Sequence, residues 1–319
     1  MSLHPVTARD VVWRPIQLLS ILDLTPGELE TCLDLAASMK HARRLQRPHA
    51  MPLVGRHVAL LFEKPSLRTR STFTIAVREL GGDVIEPPAD VVFGGRETIE
   101  DVRRNFERWV FGLVMRTFAQ SKLERLAAAA PTLRVVNALT DEEHPCQALT
   151  DCQTLIEKFG SLQGRTVAFV GDGNNVAASL AQAIAMLGGT VIVASPEGYE
   201  LPASVREGVI KVARFGGGVE VTNDAARAVE AACAVYTDVW TSMGQEERAV
   251  SRHEIFEPFQ VNAALMARAP KDAVFMHCLP AHRGDEVTDE VMDSPASVVF
   301  DQSENRLHTQ KALLALLAS

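Results

Sequence analysis

The sequence has few cysteines and no long hydrophobic segment. No apolar run approaches the roughly 20 residues that span a bilayer, so we expect no membrane partner. The start of the chain lacks the apolar core of a secretion signal, which predicts a cytoplasmic protein. The five cysteines stand apart, without C-x-x-C spacing, and are expected to be reduced thiols rather than disulfides or zinc ligands.

The chain is also short of positive charge. Its 32 Lys and Arg residues face 40 Asp and Glu residues, giving a formal net charge of −8. Binding to a nucleic-acid backbone needs an extended basic surface, so we expect no nucleic-acid partner. Any anionic small molecule must instead be held by a local basic cluster. The sequence contains no Walker loop, EF-hand loop, H-E-x-x-H motif or hydrolase-type Ser/His/Asp order.

With 319 residues the chain suits two domains of ordinary size. Short apolar runs alternate with helical stretches, as in βαβ units around a parallel sheet. One series of runs predicts strands at 57–62, 83–85, 112–115 and 134–137. A second series predicts strands that begin at 165 and lie at 190–194, 219–222, 234–237 and 273–276. We therefore predict an α/β fold with two similar doubly wound parallel-sheet domains, an interdomain cleft and linking interdomain helices.

The helix signals divide the chain. Thr25 and Glu28 form a predicted capping box with Pro26 at the first helical position. Further helices are predicted at 145–159 and 305–318. We place the first domain at 1–148 and the second at 149–302, with a C-terminal helix at 303–319 that packs back on the first.

The segment Ser-Leu-Arg-Thr-Arg at 66–70 follows the first predicted strand and precedes a helix predicted to begin near 71. Such a loop binds anions through the free N–H groups of the helix N-terminus. Arg68 and Arg70 add forked donors suited to phosphate, and Ser66 and Thr69 add hydroxyls. A solvated loop with incidental arginines is the alternative.

Two more polar signals follow strands of the first domain. Arg116 comes directly after the run at 112–115, where side chains face the cleft. His144 precedes Pro145 at a helix start, and Gln147 lies in the first turn. The imidazole and the amide can hydrogen-bond a small carbonyl ligand, although a structural cap is the more common role of such a histidine.

In the second domain, Gly-Asp-Gly-Asn-Asn at 171–175 lacks the third glycine of a dinucleotide fingerprint, since Val176 stands there. Asp238 follows another predicted strand and can pair with a ligand ammonium group, or simply form a turn. Cys278 could be a nucleophile, a ligand contact or a packed thiol, and Arg306 a cap or a ligand contact.

Seven segments in this order resemble the aspartate/ornithine transcarbamoylase family: FEKPSLRTRSTF, MRTF, HPCQALTD, GDGNNV, TDVWTSMGQE, HCLPAHRGDEVTDEV and FDQSENRLHTQKALL. The resemblance runs from about Pro15 to the C-terminus. It implies a carbamoyl-phosphate-binding first domain, an ornithine-binding second domain and a homotrimer. The expected reaction transfers the carbamoyl group of carbamoyl phosphate to the side-chain amine of L-ornithine, giving citrulline and phosphate. No metal and no organic cofactor is expected.

The same resemblance assigns the site residues. Carbamoyl phosphate is expected at Ser66, Leu67, Arg68, Thr69, Arg116, His144, Gln147, Cys278, Leu279 and Arg306. Ornithine is expected at Asn175, Asp238, Ser242 and Met243. The expected catalytic residues are Arg116, Asp238, Cys278 and Arg306. In this scheme Arg306 polarises the carbamoyl carbonyl, while Asp238 and Cys278 position the attacking amine.

The chain departs from the family pattern at Leu67, where many members carry Thr, and near Val92, where some carry a Gln that reaches the neighbouring subunit. Arg96 is a candidate substitute for that Gln, and the participation of a neighbouring subunit in the site stays open. Other amine acceptors remain open, namely aspartate, putrescine and N-acylated ornithine, although a carboxylate at Asp238 favours an ammonium-bearing substrate. A ligand-sensing homologue without activity would use the same binding residues, whereas an NAD-dependent oxidoreductase would leave the arginines unexplained.

Overall fold

The computed structural model describes residues 13–93, 95, 97–128, 132–241 and 249–319. The first series of elements is α1 Pro26–Arg44, β1 His57–Phe62, α2 Leu67–Glu79, β2 Asp83–Ile85, α3 Ala89–Phe93, α4 Ile99–Trp109, β3 Gly112–Arg116, α5 Gln120–Ala128, β4 Arg134–Leu139 and α6 Pro145–Phe159. The second is β5 Thr166–Val170, α7 Asn175–Met186, β6 Thr190–Ala194, α8 Ala203–Val212, β7 Gly218–Thr222, α9 Ala225–Val229, β8 Ala232–Thr237, α10 Ala249–Phe256, α11 Ala263–Met266, β9 Val274–His277, α12 Asp289–Met292 and α13 Val299–Leu317. None of the helices in these described parts is both long and apolar enough to cross a membrane.

Each series of strands forms one parallel sheet. Among the described residues the strand orders are β2-β1-β3-β4 and β7-β6-β5-β8-β9, and all neighbouring pairs are parallel. In both sheets the chain winds to one side of its first strand and then returns to the other side. The predicted fold of two doubly wound parallel sheets is confirmed. Ligands of such sheets bind outside the carboxyl ends of the strands, next to the reversal.

The predicted strands agree with the structure to within two residues, but two helices begin earlier than predicted. Helix α2 starts at Leu67, so the segment at 66–70 is a helix cap and first turn rather than a loop. The hydroxyl of Ser66 accepts a hydrogen bond from the N–H of Thr69 at 3.2 Å, which stabilises this early start. Helix α13 starts at Val299, six residues before its predicted beginning.

Helix α13 links the two sheets. It packs against α1, α2 and α6, and also against β9 of the second sheet. One apolar cluster includes Val58 from the first sheet and Phe169 from the second, together with residues of α13. The alternate strand residues Ala59 and Ala168 face two separate clusters on the opposite sides of their sheets. The boundaries proposed above for the two domains remain a prediction.

Leu313 on α13 is fully buried in the shared apolar cluster. We expect Leu313→Ala to lower the free energy of unfolding by about 2–5 kcal/mol, because the removed atoms leave a cavity. Urea denaturation followed by circular dichroism measures this change. Phe300→Ala is the matched control on the same helix, since Phe300 is 70% exposed, and its loss is expected to stay below about 0.5 kcal/mol. Equal losses in the two variants would contradict the role of α13 in the core.

Candidate active site

A cavity of about 530 Å³ lies at the carboxyl ends of the strands of both sheets. This is the position expected for a ligand site in doubly wound sheets. Eleven predicted site residues line it: Ser66, Leu67, Arg68, Thr69, Arg116, His144, Asn175, Asp238, Cys278, Leu279 and Arg306. Residues that are far apart in the sequence, and that belong to both sheets, therefore share one pocket.

The N-terminus of α2 contributes to the wall of this cavity. The hydroxyl of Ser66 already caps the N–H of Thr69, which leaves the N–H groups of Leu67 and Arg68 without partners inside the helix. Leu67 offers only its backbone, because its side chain is apolar and 77% exposed. The half-buried side chain of Arg68 also lines the cavity. Free N–H groups beside a guanidinium group fit a bound anion.

Arg70 does not belong to this set. Its guanidinium group pairs with the carboxylate of Glu86 at 2.8 Å and lies 5.3 Å from the ring centroid of Phe62. The side chain is exposed and is not part of the cavity wall. The prediction that both arginines of the segment serve an anion is therefore wrong for Arg70, which holds the end of β2 to α2 instead.

Two buried guanidinium groups meet in the cavity. Arg116 ends β3 and is 7% exposed, while Arg306 on α13 is 4% exposed. Burial, and then the charge of Arg306, lowers the pKa of Arg116 to about 10. Burial lowers the pKa of Arg306 as well. Both stay cationic at neutral pH, and in the described part of the chain the Nε atom of each has no hydrogen-bond partner. Two buried cations with free donors need an anion to compensate them.

Arg306 is held by partners from the first series of elements. It donates hydrogen bonds to the side-chain oxygen of Gln147 and to the hydroxyl of Thr69. Gln147 in turn donates to the carboxylate of Asp151 at 2.8 Å, and so does Gln302 at 2.7 Å. Burial raises the pKa of Asp151 to about 7. The structure thus places Gln147 behind Arg306, where it orients the guanidinium group, rather than in the cavity wall.

His144 precedes the first residue of α6 and makes no side-chain cap. Its ring is 3% exposed, and its Nδ1 atom has no hydrogen-bond partner among the described residues. Burial, followed by the charges of Arg306 and Arg116, holds the pKa of His144 well below its usual range. The imidazole is therefore neutral at physiological pH and offers a donor or an acceptor rather than a charge.

Asp238 follows β8, and two donors hold its carboxylate. Asn174 donates from Nδ2 at 2.9 Å, and the thiol of Cys278 donates at 3.1 Å. Burial and the neighbouring charge of Asp238 raise the pKa of Cys278 well above its usual range. Cys278 is therefore a protonated thiol that donates a hydrogen bond, not a thiolate nucleophile. A carboxylate in the cavity wall suits a ligand ammonium group.

The segment after β9 turns sharply at the cavity. Leu279 has a left-handed backbone with a φ of 61°, and a cis peptide bond joins it to Pro280. Its N–H donates to Nδ1 of His277 at 2.8 Å, and Nε2 of His277 lies 3.2 Å from the buried carboxylate of Glu286. A left-handed leucine costs about 1–2 kcal/mol. Residues with such costs cluster at functional sites, and here the turn brings Leu279 into the cavity wall.

Asn175 is the first residue of α7 and donates to the backbone carbonyl of Thr140, across the two sheets. The sequence interpretation missed its neighbour Asn174, which caps α7 and holds Asp238. Two adjacent asparagines before a helix were a signal for such a cap. Ser242 and Met243, the other predicted ornithine contacts, lie outside the described residues, as does Arg96.

Lys64 is a second missed residue of the cavity wall. Its side chain is only 4% exposed, pairs with Asp141 and lies 4.4 Å from the ring centroid of Phe118.

The Gly-Asp-Gly turn has a structural explanation, because a Cβ atom at Gly173 would overlap the backbone of Leu201. This close packing explains why a glycine stands at 173, so no dinucleotide-binding role is needed to account for it.

Two groups of described side chains are close enough to share a metal ion. They are Asp238 with His277 and Cys278, and His282 with Asp285 and Glu286. In the first group the thiol already donates to Asp238, and in the second the N–H of His282 donates to Glu286. Hydrogen bonds therefore already engage the carboxylates of Asp238 and Glu286 in these two groups.

Two family models match consecutive parts of the chain. The model described as "Aspartate/ornithine carbamoyltransferase, carbamoyl-P binding domain" matches residues 17–157. The model described as "Aspartate/ornithine carbamoyltransferase, Asp/Orn binding domain" matches residues 163–317. Each model covers one of the two parallel sheets.

Whole proteins and solved structures agree with these matches. The ornithine carbamoyltransferase of Thermococcus kodakarensis is 49% identical over 302 residues, which cover 94% of this chain and 95% of that protein. That of Parafrankia sp. is 50% identical over 297 residues, or 92% and 93% of the two chains. The solved ornithine carbamoyltransferase of Pyrococcus furiosus has a TM-score of 0.90 at 48% identity, covering 94% of this chain and 96% of that chain. The chain therefore belongs to the aspartate/ornithine carbamoyltransferase family.

Proposed function

We propose that this protein transfers the carbamoyl group of carbamoyl phosphate to the side-chain amine of L-ornithine, releasing citrulline and phosphate. One observation carries the proposal: a single cavity joins the buried cations Arg116 and Arg306 to the carboxylate of Asp238. The cations suit a phosphorylated donor, and the carboxylate suits an ammonium-bearing acceptor. Relatives about half identical over nearly the whole chain are named for this reaction.

The phosphate group of the donor binds at the N-terminus of α2. The free N–H groups of Leu67 and Arg68 and the guanidinium groups of Arg68 and Arg116 supply the donors for the anion. The net charge of the whole chain is negative, so this local cluster overcomes a general repulsion of the substrate. The two buried arginines gain the anion that their burial requires.

The carbamoyl carbonyl is polarised by Arg306, Thr69 and His144. Attack by the amine forms a C–N bond and places negative charge on the carbonyl oxygen. The C–O bond to phosphate then breaks, and the phosphate leaves. Donors already aimed at the developing oxyanion supply the largest catalytic contribution in many enzymes. The neutral His144 ring and the buried guanidinium group of Arg306 are such donors.

The amine of ornithine must lose a proton before it attacks, because an alkyl amine of this kind titrates near about 10.4. Asp238 and Cys278 position the ornithine. The carboxylate of Asp238 accepts a hydrogen bond from an ammonium group of ornithine, and the thiol of Cys278 orients that carboxylate. That first proton is released to solvent, and after the attack the departing phosphate takes a second proton from the nitrogen that now carries the carbamoyl group. This scheme uses neither a thiolate nor a covalent enzyme intermediate, in agreement with the raised pKa of Cys278.

We also infer that the catalytic unit is a homotrimer, as the resemblance to the family led us to expect, and that it works in the cytoplasm. Analytical ultracentrifugation tests the assembly. A trimer sediments with about three times the chain mass of 34.7 kDa, or with a multiple of that value. A monomer at micromolar concentration would contradict the trimer without affecting the proposed reaction.

A colorimetric assay for ureido products, run with carbamoyl phosphate and each acceptor in turn, tests the reaction. We expect rapid product formation with ornithine and at least about 100-fold slower formation with putrescine, aspartate or N-acetylornithine, because each lost polar contact is worth about 1–3 kcal/mol.

Asp238→Asn should lower kcat/KM for ornithine at least about 100-fold and leave the KM for carbamoyl phosphate within about threefold. Preference for another amine would contradict the ornithine assignment.

Two arginines of one helical turn provide a matched pair of variants. We expect Arg68→Gln to raise the KM for carbamoyl phosphate at least about tenfold, because a charge-assisted hydrogen bond to the phosphate is lost. Arg70→Gln should change this KM less than about threefold, since Arg70 faces Glu86 and not the cavity. Steady-state kinetics at saturating ornithine measures both. The reverse order of effects would show that the phosphate does not bind at this wall.

A further inference from the structure

Glu143 stands directly before His144 and takes part in a hydrogen-bonded cluster outside the cavity wall. Its carboxylate accepts three hydrogen bonds: from Ser20 Oγ at 2.9 Å, from Gln182 Nε2 at 2.9 Å, and from Ser179 Oγ. Ser20 precedes a short 3₁₀ turn near the start of the described chain. Ser179 and Gln182 lie on α7, which follows the first strand of the second sheet. One carboxylate thus joins segments from both parts of the molecule.

The cluster reaches the backbone of His144. Ser179 donates its hydroxyl proton to Glu143 and accepts the N–H of His144 at 2.8 Å. Because the hydroxyl proton is committed to the carboxylate, a lone pair of the oxygen stays available to that N–H. Four residues before Ser179, at the start of the same helix, Asn175 donates to the carbonyl of Thr140. Helix α7 is therefore tied to the segment before α6 through Asn175, Ser179 and Gln182.

Stability alone does not explain a carboxylate at this position. Among the described residues Glu143 forms no ion pair, and its three partners are neutral. Burial raises the pKa of Glu143, the carboxylate of Asp23 on the 3₁₀ turn raises it further, and the three donors only partly oppose this. A raised pKa in the folded state means that folding is favoured by the protonated form and disfavoured by the ionised form. The ionised carboxylate therefore costs folding free energy at neutral pH.

We propose that Glu143 is a positioning residue for carbamoyl transfer, whose carboxylate holds the backbone of His144 in place against α7. This keeps His144, which binds the carbamoyl group, in register with Asn175 on the ornithine side of the cavity. The inference rests on the proposed function. It assigns Glu143 no contact with either substrate, so its effect reaches the reaction only through Ser179 and α7.

The decisive variant is Glu143→Ala, which removes all three acceptor bonds. We expect kcat for citrulline formation to fall at least tenfold. The dissociation constant of inorganic phosphate, measured by calorimetry on the same protein, should stay within twofold of the wild-type value, because the carboxylate of Glu143 accepts its hydrogen bonds from Ser20, Ser179 and Gln182 rather than from Arg68 or the N-terminus of α2. Glu143→Gln keeps the size and, with its side-chain oxygen turned towards Ser179, still accepts the hydrogen bond that reaches His144, so kcat should return to within threefold of wild type.

Stability measurements separate positioning from a merely structural role. At pH 8 the ionised carboxylate opposes folding, so the melting temperature of Glu143→Gln should equal or exceed that of the wild type. Below the unfolded-state pKa of a glutamate the wild-type side chain is protonated, and this advantage of the variant disappears. Glu142→Ala is the matched control. It removes the same charge from the neighbouring exposed residue, and its kcat should stay within twofold of wild type.

The outcomes are distinct. A kcat of Glu143→Ala within twofold of wild type would overturn the inference, and so would a loss of phosphate affinity equal to the loss in kcat. A fall in the melting temperature of Glu143→Gln at pH 8 would assign the residue to stability and also overturn it. A wild-type protein that carbamoylates no amine would contradict the proposed function instead, whatever the Glu143 variants do.

Discussion

The burial of Arg116 beside Arg306 is the constraint on which the site depends. Two like charges withdrawn from water repel each other, and burial penalises each of them separately. The fold tolerates this because Thr69 and Gln147 accept hydrogen bonds from Arg306, and because the charge of Asp238 favours the cationic form of Arg116. The positive charge that these contacts leave uncompensated attracts an anion that fits the cavity.

The same low-polarity environment sets the protonation states of the neighbouring groups. It keeps His144 neutral and Cys278 protonated, in both cases with burial as the main cause. The cavity therefore holds hydrogen-bond donors of several strengths at neutral pH without any proton having to move first. Because these donors are already oriented, the reaction avoids the free-energy cost of reorienting dipoles that the same reaction would have in water. The chemistry of the site follows from burial as much as from the identity of its residues.

The sequence predicted the sheets better than the side-chain partners. Alternating apolar runs determine strand positions, and polar residues at strand ends such as Arg116 and Asp238 had to face the same cavity. The start of α2 depends on one hydrogen bond from the helix cap Ser66, and the spacing of apolar residues does not predict such a bond. Once that helix begins at Leu67, residues two positions apart point to different sides, so Arg68 and Arg70 must diverge. Local patterns also carry no information on a bond such as that between Ser179 and His144.

Helix α13 has a consequence for how the molecule folds. Its Arg306 bonds to Thr69 across 237 positions of sequence, and its apolar side completes the layer over α1 and α2. Contacts of such separation form late, because a long loop must close before they contribute. The first sheet therefore cannot finish its helical layer until the chain has passed through the second sheet and returned. The two halves match separate family models, but they do not fold as exchangeable modules. A first half transplanted without α13 would lack part of the apolar layer over α1 and α2, and a second half transplanted with α13 would expose that helix's apolar side.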